Sequence, residues 1–218
     1  MSAGRGRTGR PPLTEERKAE IRLEIAHAAV DLFVARGVAA TTGEQIGQAV
    51  GVSARTVWRY FPSKESCVRP LLTAGVELIA DALRHWRPGR PLEEALDFAA
   101  GQALAGPAPA TVGALVRLTR TEPGLRAVWL QTHDEAEPAF ARALAERAGL
   151  PAGDLRPVIQ AAMFNAALRV AVEHHAWHTA GARAAGTPAG TPADPATARA
   201  QLAGTLRVAL AVVGEGLG

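Results

Sequence analysis

Apolar residues recur at helical spacing along nearly the whole chain. Ile21, Ile25, Ala28, Leu32 and Phe33 form one face of a helix predicted over 14–36, with Gly37 as its stop. Thr14 is placed to cap it, and Glu15 and Glu16 fall in the first turn, where the positive end of the backbone dipole favours acids. Thr41 and Thr42 precede Glu44 and Gln45 at the three-residue offset of a capping box, opening a second helix whose apolar face is Ile46, Ala49 and Val50. Gly51 supplies a tight turn, Val52 fills the elbow, and Ser53 caps a third helix carrying Arg55, Trp58 and Arg59. A fourth opens at Ser63 and runs through Val68, Leu72, Val76, Ile79 and Leu83 to Trp86. Beyond the break at 87–91, helices are predicted near 92–105, 109–120, 124–135, 138–148, 153–179 and 195–214, nearly all separated by Pro or Gly. Residues 181–194 repeat Gly-Thr-Pro-Ala and read as a flexible surface loop. No strand-like alternation occurs, so the expected fold is all-α.

The run TTGEQIGQAVGVSARTVWRYFPSK, residues 41–64, therefore reads as a helix-turn-helix. Thr41, Thr42, Gly51, Val52, Ser53, Thr56, Trp58, Tyr60, Phe61 and Lys64 fit the spacing of the DNA-binding domain of the TetR (tetracycline-repressor-like) transcriptional regulators, which this segment resembles over roughly residues 15–75. The resemblance implies an N-terminal three-helix DNA-binding domain joined to a C-terminal helical ligand-binding and dimerisation domain. Two residues depart from the family pattern. Trp58 stands where Tyr is usual, so a phosphate contact there would come from an indole N–H. Gly47 stands where Ala is common, which should loosen the second helix by about 1 kcal/mol.

Charge supports this reading. Residues 1–70 hold 11 Lys and Arg against 7 Asp and Glu, whereas residues 71–218 hold 13 against 14, so the positive excess sits at the end that would meet phosphate. The expected domains are a basic arm at 1–13, rich in Gly, Arg and Pro and disordered when free, the helix-turn-helix domain at 14–62, and the helical ligand and dimer domain at 63–218. No apolar run approaches the roughly 20 residues a bilayer needs, and no signal-peptide core is present, so a cytoplasmic protein with no membrane partner is expected. The single cysteine, Cys67, allows no internal disulfide and is too little for a cysteine-based zinc site.

Base readout needs side chains that reach the major groove from the exposed face of the third helix, which nominates Ala54, Arg55 and Arg59. Arg55 and Arg59 could instead touch phosphate alone. Thr42, Thr56, Trp58, Tyr60 and Lys64 are nominated for backbone positioning, with Tyr60 alternatively a core aromatic. Arg5, Arg7 and Arg10 suit a narrow minor groove, or a passive solvated tail.

The resemblance also implies a cavity in the C-terminal domain, for which Phe98, Leu118, Trp129, His133, Met163, Phe164 and Asn165 are the candidate wall. Asn165 lies amid apolar neighbours and, if buried, needs partners or a ligand. That lining suits a small, largely apolar effector with one polar group. The last two long helices are apolar on more than one side around Leu168, Leu206 and Leu210, which points to a homodimer or, alternatively, to burial within a single monomer core. His174, His175 and His178 do not form a zinc-protease motif, because His175 occupies the place of the required Glu; no metal and no cofactor are expected. No nucleophile elbow or phosphate loop is present, so an enzyme is not expected. The expected function is a repressor released from a palindromic DNA operator by its effector. The alternatives are an activator of the same fold and a helical protein-interaction module.

Overall fold

The computed structural model describes residues 14–87, 89–105, 109–151, 153–184 and 195–215, all helix or turn with no strand among them. The elements are α1 (Glu15–Arg36), α2 (Gly43–Ala49), α3 (Ala54–Tyr60), α4 (Arg69–Arg84), α5 (Leu92–Ala105), α6 (Pro109–Leu118), α7 (Pro123–Ala148), α8 (Leu155–Ala184) and α9 (Pro195–Glu215).

The first three helices begin where side-chain oxygens can take their free N–H groups. Thr14 accepts from Arg17 N, Thr42 from Gln45 N, and Ser53 from Thr56 N. Of the two possible capping boxes only Thr42–Gln45 forms; Thr41 turns inward and its hydroxyl donates to the Gly37 carbonyl at 2.9 Å. Gly37 ends α1 at φ 82°, a conformation unfavourable for side-chain-bearing residues. Gly47 needs space, since a Cβ there would lie 2.6 Å from the Val52 carbonyl oxygen. Its lower helix propensity is the cost of bringing the turn that close.

Two predicted boundaries fail, both at prolines. The fourth helix does not open at Ser63: residues 65–68 form a 3₁₀ turn, held by reciprocal Ser63–Ser66 hydrogen bonds, and α4 starts at Arg69. Pro70 has no N–H to continue an earlier helix and so sits in the first turn of a new one. Conversely, the break expected between 135 and 138 is absent, and α7 runs unbroken through Pro138. The carbonyl four residues back belongs to exposed Asp134, where water can satisfy it, and the turns beyond bury Phe140, Ala141, Ala143 and Ala145. α8 likewise continues past Gly181 to Ala184; the rest of the expected loop lies outside the described residues.

Two cores form. The first joins Ile25, Val30 and Phe33 of α1, Ile46 of α2, Val57 of α3 and Leu71 and Leu72 of α4 to Leu115 and Val116 of α6, Leu125 and Trp129 of α7 and Ala176 of α8. The second packs Val76, Ile79 and Leu83 of α4 with Leu96 of α5, Phe140 of α7, Phe164 and Leu168 of α8 and Leu206 of α9. Helix α4 thus spans both. The helix-turn-helix shares its core with three helices of the C-terminal half, so a shift in α6, α7 or α8 is felt by α1. Leu168 and Leu206, expected at a dimer surface, are 5% and 3% exposed and belong to the monomer core. The uncovered apolar residues are their neighbours Leu155, Val158, Ile159, Met163 and Val170 on α8, and Val208 and Val212 on α9.

Candidate functional site

Arg55 and Arg59 project from the exposed side of α3 while Val57, two residues from each, is fully buried. The seven-residue helix is anchored at its start by Ser53, whose hydroxyl also pairs with that of Thr56 at 3.0 Å. Ala54 and Thr56 are half-buried and Trp58 is 43% exposed. Tyr60 packs against the first core with two guanidiniums over its ring, Arg22 at 5.3 Å and Arg59 at 5.0 Å from the centroid. That stacking holds Arg59 back along the helix, while Arg55 makes no ion pair among the described residues. At the amino end of α2 the Glu44 carboxyl is held below its usual range by its own backbone N–H and then by the Thr42 hydroxyl.

Lys64 lies elsewhere than its expected role requires. Its ammonium donates to the carbonyls of Val38 at 2.6 Å, Thr41 at 3.1 Å and Ala39 at 3.4 Å. All three protons are used inside the chain, tying down the loop that presents Thr42 and the start of α2. Cys67 is fully buried, and burial pushes its thiol up to about 12, with Glu65 adding to the shift, so it remains protonated and unreactive. Arg5, Arg7 and Arg10 lie outside the described residues.

In the C-terminal half the seven candidate wall residues separate. Phe98 is 62% and Met163 43% exposed, each on the solvent side of its helix, so neither lines an internal cavity. Phe164 is core, edge-on to Phe140 with centroids 5.4 Å apart, and Leu118 is half-buried against the first core. Two open cavities at the surface of the described residues involve none of the seven. One, about 410 Å³, lies beside Trp86 and Arg147, and the other, about 380 Å³, lies among Thr119, Arg120, Arg126 and Trp177.

Trp129, His133 and Asn165 do come together, between α7 and α8. The Asn165 amide donates to the His133 carbonyl at 3.0 Å and to Glu137 Oε1 at 2.8 Å, which leaves Asn165 Oδ1 facing His133 Nδ1 at 2.7 Å. His133 therefore carries its proton on Nδ1, and its buried Nε2 has no partner among the described residues. Burial pushes the His133 pKa down, outweighing the opposing Asn165 hydrogen bond, so the ring is neutral. The Trp129 ring stands edge-on to His133, centroids 4.2 Å apart, and its indole N–H donates to Glu173 Oε1 at 2.7 Å. Glu173 also receives Arg126 and, at 3.3 Å, Arg169. Burial alone would raise the Glu173 pKa, but the Trp129 N–H and the two guanidiniums together bring it below the ordinary carboxylate value.

Glu137, Glu173, Arg126 and Arg169 were not nominated from the sequence. A signal was present: Arg126, Trp129, His133 and Glu137 are spaced by three or four along α7, and Asn165, Arg169 and Glu173 by four along α8. Each set is one polar stripe, and the two face each other. Elsewhere on α8, the His174 and His178 rings stack 3.9 Å apart, and no group of three or more metal-ligating side chains occurs among the described residues. No helix of the described residues is long and apolar enough to cross a membrane.

Comparison with known proteins matches both halves. Residues 25–70 match the model for bacterial regulatory proteins of the tetR family, and residues 112–217 match the MftR C-terminal domain. The HTH-type transcriptional regulator TcmR of Streptomyces glaucescens is 34% identical over 169 residues, which cover 73% of this chain and 75% of TcmR. The fold is shared with Thermus thermophilus FadR, a TetR-family repressor solved with lauroyl-CoA, at a TM-score of 0.52 and 23% identity over 90% of this chain and 95% of that one. It is also shared with the fatty acid degradation regulator FadR of Bacillus halodurans, at a TM-score of 0.56 and 16% identity over the same shares. With a capped helix-turn-helix at one end, a match to the MftR C-terminal domain at the other and a regulator as relative, the chain belongs to the TetR family of DNA-binding transcriptional regulators.

Proposed function

We propose that the chain is a homodimeric repressor that leaves a palindromic DNA operator when a small, largely apolar effector with one polar group binds its C-terminal half. The observation that carries this reading is the shared first core. Trp129 packs on the same cluster as Ile25, Ile46 and Val57, while its indole N–H is held by Glu173 in the polar network between α7 and α8. An effector group competing for Glu173, His133 or Asn165 would shift α7 against α8 and, through that core, tilt α3. Such a ligand prefers one arrangement of the heads and so biases the population away from the operator-binding one.

Arg55 is the proposed base reader and Trp58 a backbone contact; Arg59 is proposed for phosphate, given its position over Tyr60. The dimer is proposed through the exposed apolar residues of α8 and α9, among them Ile159, Val170, Val208 and Val212. Cytoplasmic action follows from a DNA target. Selection from a random DNA pool tests the whole reading: bound fragments should share an inverted repeat, and the protected footprint should show two half-sites. Lauroyl-CoA, found with the Thermus thermophilus neighbour, is the first effector to try, and it should release the selected DNA. A footprint on one unpaired half-site would overturn the proposed dimeric repressor.

A further inference from the structure

Gly43 is the first residue of α2, directly after the capping Thr42, and it is buried. Its φ is not positive, so the backbone places no demand for glycine there. The demand is for space. A Cβ on Gly43 would lie 1.9 Å from Cζ2 of Trp58 and 2.6 Å from both Cε2 and Cη2, nearer than any real contact. The six-membered edge of the indole thus rests in a notch that exists only because residue 43 has no side chain. Cε2 is the ring atom bonded to Nε1, so the indole N–H is held beside the amino end of α2. It makes no hydrogen bond among the described residues, and the side chain stays 43% exposed.

We propose that Gly43 is a positioning residue for DNA binding, fixing the Trp58 indole so that its N–H meets a backbone phosphate. The two residues form one device: the large ring at position 58 works as a donor only while position 43 is empty. The α2 N–H groups are already engaged there, Gln45 by the Thr42 hydroxyl and Glu44 by its own carboxyl, so the donor offered is the unpartnered indole N–H itself. Thr42 and Lys64 hold the loop that sets this geometry, the first by capping α2 and the second through the Val38, Ala39 and Thr41 carbonyls. The proposal rests on the reading of Trp58 as a backbone contact, and the variants below separate the two.

A phosphate contact carries no sequence information, so a mixed-sequence DNA duplex suffices as the probe. Affinity is measured across a salt series. Trp58→Phe removes the donor and is expected to weaken binding about tenfold at every salt concentration. The slope of log affinity against log salt should not change, because no cation is lost; that distinguishes a missing neutral donor from a disordered basic head, which would flatten the slope. Gly43→Ala should show the same parallel drop, and Gly43→Ala/Trp58→Phe should lose no more than Trp58→Phe alone. Additive losses in the double variant, or a Gly43→Ala protein that binds like the parent, would overturn the proposed device. Trp58→Phe binding like the parent would overturn the contact itself. Were Gly43→Ala to lose its fold, Gly43→Ala/Trp58→Ala decides by thermal melting: recovery shows that the ring was the obstacle, and no recovery refutes it.

Discussion

Trp58 and Trp129 put one kind of side chain to opposite uses. Trp58 is 43% exposed and its N–H makes no hydrogen bond among the described residues, whereas Trp129 is 4% exposed and gives its N–H to a buried carboxylate 44 positions away. The same division runs through both halves of the molecule. In the helix-turn-helix, Thr14, Thr42 and Ser53 satisfy the backbone within a few residues, Lys64 ties the loop before α2 through its carbonyls, and Arg55 and Arg59 face outward. In the C-terminal half, polar groups are buried against each other across α7 and α8. The first arrangement is rigid and presents donors; the second is costly to break and hence able to respond to a competing polar group.

The largest expected effect breaks the buried member of that pair. Trp129→Ala should cost about 3–5 kcal/mol, since it empties a core site shared by α1, α6 and α7 and leaves Glu173 with two guanidiniums and no indole. Urea unfolding reads this as a lower midpoint with little change in slope. Trp58→Ala is expected to leave that midpoint nearly unchanged while weakening DNA binding. Similar stability losses for the two would erase the distinction between presenting and buried chemistry.

Arg55→Ala comes next, at about 1–3 kcal/mol of binding free energy on the selected operator, with no loss of stability. If Arg55 reads a guanine, base preference should flatten at one position per half-site, whereas Arg59→Ala should weaken all sequences alike. Equal losses for Arg55→Ala on selected and random DNA would leave the head with no identified base reader.

The two halves also differed in how far their sequence could be read. Caps, turn glycines and short helices are local, and Thr42, Gly51 and Ser53 have their places visible in a stretch of 24 residues. The C-terminal half depends on which face of α7 meets which face of α8. Its prolines misled for that reason: Pro138 breaks a helix by propensity, yet packing of Phe140 and its neighbours keeps α7 continuous. The family resemblance makes Phe98 and Met163 candidates for a cavity wall, but helix phase turns both outward. Nothing in the sequence marks Glu173 and Arg126 for burial, because burying them makes sense only once Trp129 lies opposite. The need for space at Gly43 has no local signature, since it arises from a side chain 15 residues later.

A smaller effect tests the head's local wiring. Thr42→Ala removes the cap and half of the capping box, for about 1 kcal/mol of stability. The loss should be confined to the head, so hydrogen exchange should speed up in α2 while α7 and α8 keep their protection. Faster exchange in α7 as well would show the two halves to be more tightly coupled than their shared core implies.

The smallest expected effect concerns acid, and it belongs to the C-terminal half alone. His133 is pushed below its ordinary 6.5 by burial, with Arg169 and Arg126 adding to that direction and Asn165 and Glu173 opposing it. The unfolded chain therefore binds a proton at a higher pH than the folded chain does, and stability is lost as pH falls through the unfolded value of 6.5 toward the folded one. His175, also lowered by burial and by His174, acts in the same direction. Glu173 contributes in a lower window: its folded pKa lies below 4.5, so the stability it adds is present above 4.5 and lost only as pH falls through the folded value. In the head, the shifted carboxyls Glu15, Glu16 and Glu44 are likewise lowered, so they too stay ionised. Between about pH 7 and about pH 5, then, the melting temperature should fall through the histidines of α7 and α8. His133→Gln, which cannot titrate, should melt lower than the parent at neutral pH and lose less on acidification. A parent whose stability is flat over this range, or a His133→Gln variant with the full acid loss, would remove His133 from the response.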